Sequence, residues 1–182
     1  ADWESGRQVD GDSLFTVFSA TKGPAATALH IQAERGLVQY DRSIADYWPE
    51  FAKHGKEKAT VLDALNHSVG IPGMPVGATP EQMCDWEWMC HALEEMEPAW
   101  EPGTKHGYHA YTYGWIVGEI VSRVDPRRRK FKQWVQDEIC APLGIDSLWM
   151  GIPDDVEHRV GRLKNTPANP DAPVPPPDAL IL

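Results

Sequence analysis

Apolar and polar positions follow two different periods along this chain. Leu14-Phe15-Thr16-Val17-Phe18 is a short aromatic and β-branched run behind Asp10-Gly11-Asp12, the pattern of a strand, and it delivers Ser19 to the start of a helix. From Ala20 to Arg35 strong helix formers dominate, among them Ala25, Ala26, Ala28, Leu29 and Ala33, and Gly36 supplies the stop. Thr60 to Asn66 predicts a short helix ended by Gly70 and Pro72, after which Gly73-Met74-Pro75-Val76-Gly77 predicts an irregular loop. Thr79-Pro80-Glu81-Gln82 joins an N-cap, a proline at the first helical position and a capping-box glutamine, so one helix is predicted from Thr79 to about Met96. Tyr113, Ile116, Val117, Ile120, Val121 and Val124 recur at helical spacing with few polar neighbours, the signature of a deeply buried helix. Pro126 closes it, and Phe131, Trp134, Val135 and Ile139 predict an amphipathic successor terminated by Pro142 and Gly144. Six prolines fall between Asn165 and Leu182, so residues 1–164 read as one largely helical unit and 165–182 as an extended segment ending where Ala179-Leu180-Ile181-Leu182 could open a strand.

Composition narrows the function classes. At 182 residues, 42% hydrophobic and 24% charged, the chain can bury one modest core. No run approaches the length of a membrane-spanning helix. A net charge of -10 opposes binding to a phosphate backbone, so nucleic acid is excluded as a partner. The one basic cluster, Arg127-Arg128-Arg129-Lys130, reads as a solvated face. Three cysteines, Cys84, Cys90 and Cys140, do not make a disulfide framework. Cys84, Cys90 and His91 do not suggest a metal site either, because six residues of helix turn the two thiols about 240° apart, and buried free thiols are expected. The acidity and the lack of disulfides point to the cytoplasm, although the chain opens at Ala1 rather than at a methionine.

The chemistry concentrates at Phe18-Ser19-Ala20-Thr21-Lys22. Residues three apart share a helix face, so a Lys22 amine can reach the Ser19 hydroxyl and, if its proton affinity is lowered, take its proton. The helix N-terminus adds free N-H groups and a positive dipole end where an oxyanion develops. Seven serines and eight lysines give about 0.3 chance occurrences of this tetrapeptide, so the weight lies in its context, an extended run entering an alanine-rich helix.

In that context the sequence resembles the superfamily of serine β-lactamases, penicillin-binding proteins and carboxylesterases. Ser19-Ala20-Thr21-Lys22 matches the first motif of that superfamily, and Glu34-Arg35-Gly36-Leu37-Val38 with Asp41 resembles the turn after the nucleophile helix. Leu65-Asn66-His67-Ser68-Val69-Gly70-Ile71-Pro72 resembles a loop near the site, and Pro102-Gly103-Thr104 ahead of Tyr108 resembles the second motif. The resemblance implies an α+β, β-lactamase/transpeptidase-like fold, of which this chain covers mostly the helical region and lacks much of the antiparallel sheet. It implies Ser19 as nucleophile, Lys22 as its base and Tyr108 as the phenol that relays a proton to or from the leaving group. Substrate contact is expected at His67, Ser68 and His109, with a packing role as the alternative for His109. No metal or organic cofactor is implied. The partner is a small ester or lactam, and a missing segment or self-association would complete the sheet.

Two departures shape the expectation. The second motif of the β-lactamases reads tyrosine, any residue, asparagine, whereas Ala110 follows Tyr108-His109 here, a loss that leans the resemblance toward esters. The third motif, a lysine or histidine two residues before a glycine, does not follow Tyr108; Lys53-His54-Gly55 and Lys105-His106-Gly107 have its spelling but precede the tyrosine. Trp86, Trp88 and Trp100 are candidates for an apolar acyl pocket or for core. One rival is an α/β-hydrolase with Ser68 as nucleophile, which fails because Asn66 stands where the elbow needs glycine and helix precedes it. The other is a non-catalytic relative acting as a binding or assembly module.

Overall fold

Small side chains set the first close contact of the fold. In the computed structural model, which describes residues 6–163, α1 (Lys22–Glu34) buries Ala25, Ala28 and Leu29 and ends where Gly36 takes a φ of 73°. Gly36 and Leu37 return N-H groups to Ala33 and Gln32, which satisfies the last carbonyls of the helix. α2 (Val61–Leu65) is short but carries a full capping box between Thr60 and Asp63. Next come α3 (Pro80–Cys84), α4 (Trp86–Glu95) and α5 (Thr112–Val124). α5 is the helix α1 packs on most extensively, with Tyr113, Ile116, Val117, Ile120 and Val121 buried as the stripe requires. α6 (Phe131–Val135) runs through a π-helical turn, Gln136–Cys140, into α7 (Ala141–Leu143), and Gly144 ends it in the left-handed region at φ 65°. The predicted proline-rich segment lies outside the described residues.

Three expectations are corrected. The strand from Leu14 to Phe18 does not form: Leu14 makes one parallel bridge to Val160, and no strand exists among the described residues. A β-branched run needs a neighbouring strand to complete its hydrogen bonds, and Phe15, Val17 and Phe18 instead stand exposed. The described residues thus form the helical region alone, in keeping with the expectation that the chain lacks much of the antiparallel sheet. The helix expected from Thr79 to Met96 is two helices, because Asp85 adopts extended φ and ψ of -91° and 106° and its carboxylate caps the N-H groups of Glu87 and Trp88. Cys84 is consequently exposed, while Cys90 and Cys140 are buried.

The basic cluster is a strut and not simply a solvated face. Arg129, with 10% of its side chain exposed, bridges Asp125 at 2.8 Å, Asp137 at 2.9 Å and Glu138 at 2.8 Å. Arg127 and Arg35 also meet Glu138, tying the C-terminal end of α1 to the π-helical turn. Hydrogen bonds from Arg129 hold the Asp125 carboxyl down at about 2.

Lys56 is buried, and its ammonium donates to the carbonyls of Lys53, Glu94 and Met96. Burial lowers its pKa to about 8, against the partly offsetting charges of Glu95 and Glu94. An unfolded lysine titrates near 10.4, so between pH 8 and 10 the unfolded chain binds more protons than the folded one, and stability rises with pH. The three carbonyl acceptors favour the ammonium and so oppose that shift, and a rise on the order of 1–2 kcal/mol is expected across the range. Urea unfolding of the native protein across that range should show this rise, and Lys56→Met should lack it; parallel pH curves for the two proteins would refute the assignment.

Candidate active site

The turn Phe18–Thr21 is a 3-10 turn that flows into α1 without a break, and this places Ser19 and Lys22 on one side of the chain. Phe18 holds a φ of 46°, a backbone conformation costly for a residue with a Cβ, immediately before the serine. The Lys22 ammonium donates to Ser19 Oγ at 3.2 Å and to the Ala110 carbonyl at 2.7 Å. From the far side of the fold, the Tyr108 hydroxyl donates to the same Ser19 Oγ. Lys22 Nζ also sits 4.7 Å from the centre of the Tyr108 ring and 5.8 Å from that of Tyr113. The hydrogen bond with Ser19, followed by the hydrogen bond and charge of Lys22, holds the Tyr108 phenol below its ordinary value. Two groups, one three residues away and one 89 residues away in sequence, thus converge on one exposed hydroxyl.

Tyr108 owes its place to the loop around residues 66–72. Gly107 N-H donates to the His67 carbonyl at 3.1 Å, His109 N-H donates to His67 Nδ1 at 3.1 Å, and His106 Nδ1 meets the Asn66 carbonyl at 2.7 Å. His109 works in the other direction: its Nε2 accepts from Ile71 N-H at 3.1 Å, which leaves Nδ1-H to donate to the Gly107 carbonyl at 2.6 Å. Both imidazoles are therefore neutral, each using a bare nitrogen as an acceptor. Burial presses His67 down to about 4, with His109 and the Lys22 charge adding to it, and burial lowers His109 too. The His67 ring lies 5.1 Å from the Tyr108 ring and 4.9 Å from that of Tyr113.

Trp100 spaces these two strips of chain. Its indole N-H donates to the Ser68 carbonyl at 3.1 Å, and its ring lies so close to Gly107 that a Cβ there would stand 2.5 Å from it. Its own carbonyl comes equally close to Gly70. Ser68 is buried, with Oγ 2.7 Å from Asp63 Oδ1 and 2.5 Å from Asn66 Oδ1. Of the candidates for substrate contact, then, His67 lies beneath the Tyr108 and Tyr113 rings, while Ser68 and His109 are enclosed in the loop anchor. Lys53 and His54 both pair with Glu95, so that third-motif spelling builds a surface contact.

Beside Ser19 opens a cleft of about 430 Å³. Trp86 from α4, Tyr113, Gly114 and Trp115 from α5, Phe131 from α6 and Met150 form much of its wall, and Lys22 is the one charged side chain lining it. Trp86 is thus at the site, whereas Trp100 belongs to the loop anchor and Trp88 does not line the cleft. Phe131, Met150 and Gly114 carry no local motif; the stripe that marks α6 as amphipathic is the only sequence signal touching any of them.

Comparison with known proteins places this arrangement. The beta-lactamase family profile matches residues 1–181. An esterase/beta-lactamase, LipL, of Mycobacterium tuberculosis is 37% identical over 156 residues, covering 84% of this chain and 35% of that protein. A beta-lactamase of Yersinia enterocolitica is 22% identical over 157 residues, covering 86% of this chain and 39% of its own length. Among solved structures, a family VIII carboxylesterase superposes with a TM-score of 0.84 at 37% identity, over 88% of this chain and 44% of the other. A penicillin-binding protein homologue from Caulobacter crescentus gives 0.81 at 40% identity, over 93% and 46%. The chain spans less than half the length of each of these relatives.

Proposed function

The chain belongs to the beta-lactamase family, and on that premise we propose that it is the nucleophile-bearing part of a serine hydrolase that cleaves small esters through an acyl-enzyme on Ser19. The observation that carries this reading is the double hydrogen bonding of Ser19 Oγ, by Lys22 at 3.2 Å and by the Tyr108 hydroxyl. In acylation Tyr108, in the phenolate form that the Lys22 ammonium favours, takes the Ser19 proton, and Oγ bonds to the ester carbonyl carbon. The oxyanion is met by the Ser19 N-H, which sits in the opening turn of the helix where backbone donors lack intrahelical acceptors. The tetrahedral intermediate collapses, the C-O bond to the alcohol breaks, and the leaving oxygen takes its proton from Tyr108. Water then repeats the sequence on the acyl-serine and releases the acid. The depressed proton affinity of Tyr108 suits a group that must both accept and return a proton.

Esters are favoured over lactams because Ala110 stands where the β-lactamase motif carries asparagine, and no amide side chain lines the cleft. His67 and His109 take part as supports that hold Tyr108 rather than as substrate contacts. The antiparallel sheet of the fold, and with it the second oxyanion donor, would come from sequence beyond this chain or from a second copy. The non-catalytic alternative leaves the hydrogen-bonded trio without a purpose. Incubation of the native protein with a fluorophosphonate, followed by intact-mass and peptide analysis, should give one adduct, on Ser19, and none in Ser19→Ala. A folded protein that takes no label, or takes it elsewhere, would sink the acyl-enzyme.

A further inference from the structure

Two glycines on one face of α5, a turn apart, shape the cleft. At Gly118 a Cβ would stand 2.6 Å from the Trp86 ring and 2.9 Å from Phe131, so these rings rest directly on the helix backbone, stacked with centres 5.9 Å apart. The Trp86 indole N-H is fixed to Glu119 at 2.7 Å. At Gly114 nothing lies within 4 Å of a Cβ position, and this residue lines the open part of the cleft. The void therefore runs from Ser19 between α1 and α5 to an aromatic wall.

Its chemistry is one-sided. Its one charged side chain, Lys22, is already used by the reaction with Ser19, none of its lining residues is acidic or carries an amide, and the remaining polar side chains are the amphipathic Trp86, Trp115, Tyr111 and Tyr113 and the hydroxyl of Thr21. Tyr108, which reaches Ser19 Oγ, is not part of its wall. A leaving oxygen held toward Tyr108 leaves the cleft to the other substituent of the reacting carbon. At about 430 Å³ the space is within the range of small-molecule sites and far larger than an acetyl group requires.

We propose that this cleft is the acyl-group site and that the preferred substrates are esters of bulky, uncharged acids, aryl-alkanoic or medium-chain. The proposal rests on the ester-hydrolase reading above and makes Gly114 a specificity-determining position. Leucine is a better helix former than glycine, so Gly114→Leu can fill the void without loosening α5.

The test compares kcat/KM for p-nitrophenyl hydrocinnamate and p-nitrophenyl acetate in the native protein. The aryl ester should be favoured by about tenfold or more, and Gly114→Leu should lower that ratio by at least about tenfold. Acetate preferred by the unaltered protein, or a ratio unmoved by Gly114→Leu while ester hydrolysis persists, would overturn the acyl site and leave the hydrolase reading standing. A second measurement is independent of turnover: free hydrocinnamate titrated into Ser19→Ala should quench tryptophan fluorescence saturably, through Trp86 and Trp115, and the added Gly114→Leu should abolish this. If no ester is cleaved but the Gly114-sensitive quench is present, the apolar site stands and the acyl-enzyme falls. No quench overturns the site.

Discussion

On the proposed acyl-enzyme, Ser19→Ala is expected to lower kcat for ester hydrolysis by roughly three to six orders of magnitude, the range found when a covalent nucleophile is removed. The side chain is exposed and its Oγ only receives hydrogen bonds, so its loss leaves no buried group unpaired. Stability should move by less than about 0.5 kcal/mol, as for other surface changes. Tyr108→Phe and Lys22→Met act on the same step, so combining either with Ser19→Ala adds little further loss. Assay of the purified variants by progress curve, with thermal unfolding in parallel, checks both halves. Turnover retained at a tenth or more of the starting rate would mean that the nucleophile lies elsewhere.

Gly70→Ala carries the largest expected effect on stability. Gly70 has a φ of 96°, where an L side chain is strained, and a Cβ there would stand 2.5 Å from the Trp100 carbonyl oxygen and 2.9 Å from Pro98 Cβ. Neither neighbour can step aside cheaply, since the Gly70 carbonyl also binds Ala99 N-H at 2.7 Å. Strain and overlap together cost about 3–5 kcal/mol. Gly36→Ala is the internal control: φ is 73° but nothing lies within 4 Å, so strain alone applies and about 1 kcal/mol is expected. Denaturant midpoints of the two variants separate these contributions. Equal losses at both positions would show that the Trp100 contact carries no cost. Because the Gly70 loop holds the Tyr108 segment, activity should fall with stability in Gly70→Ala and not in Gly36→Ala.

What the sequence made legible was local. The stripe from Tyr113 to Val124 could bury only one way, and α5 is buried along it. The Thr79 and Gln82 capping box forms as spelled. Asp85 escaped notice because an aspartate inside a helical pattern costs little, and it becomes a cap only once tertiary packing turns the chain there. Leu14 to Phe18 misled because β propensity describes a surface to be paired, and the pairing partner is a separate matter. Arg129 read as solvated because its three acidic partners sit four, eight and nine residues away around a turn, which charge counting does not resolve. At the site, Ser19 and Lys22 were visible through their spacing, and Tyr108 only through resemblance. The cleft was mostly hidden: Gly114, Phe131 and Met150 reach it from separate elements, and the emptiness at Gly114 is a property of three-dimensional neighbours.

Trp100 acts as a gauge block between the two strips that place Tyr108. Its ring is matched by the absent side chain at Gly107, its backbone carbonyl by the absent side chain at Gly70, and its indole N-H is committed to the Ser68 carbonyl. A larger residue at Gly107 has no room while the indole is present, a larger residue at Gly70 has none whatever side chain residue 100 carries, and a smaller residue in place of Trp100 leaves a slot that Gly107 cannot fill. Trp100 and Gly107 are therefore coupled rather than independent, while Gly70 is held by the backbone that carries Trp100. Over generations such a unit is inherited as a block: single exchanges are penalised from every direction, and a new spacing is reachable only through simultaneous change.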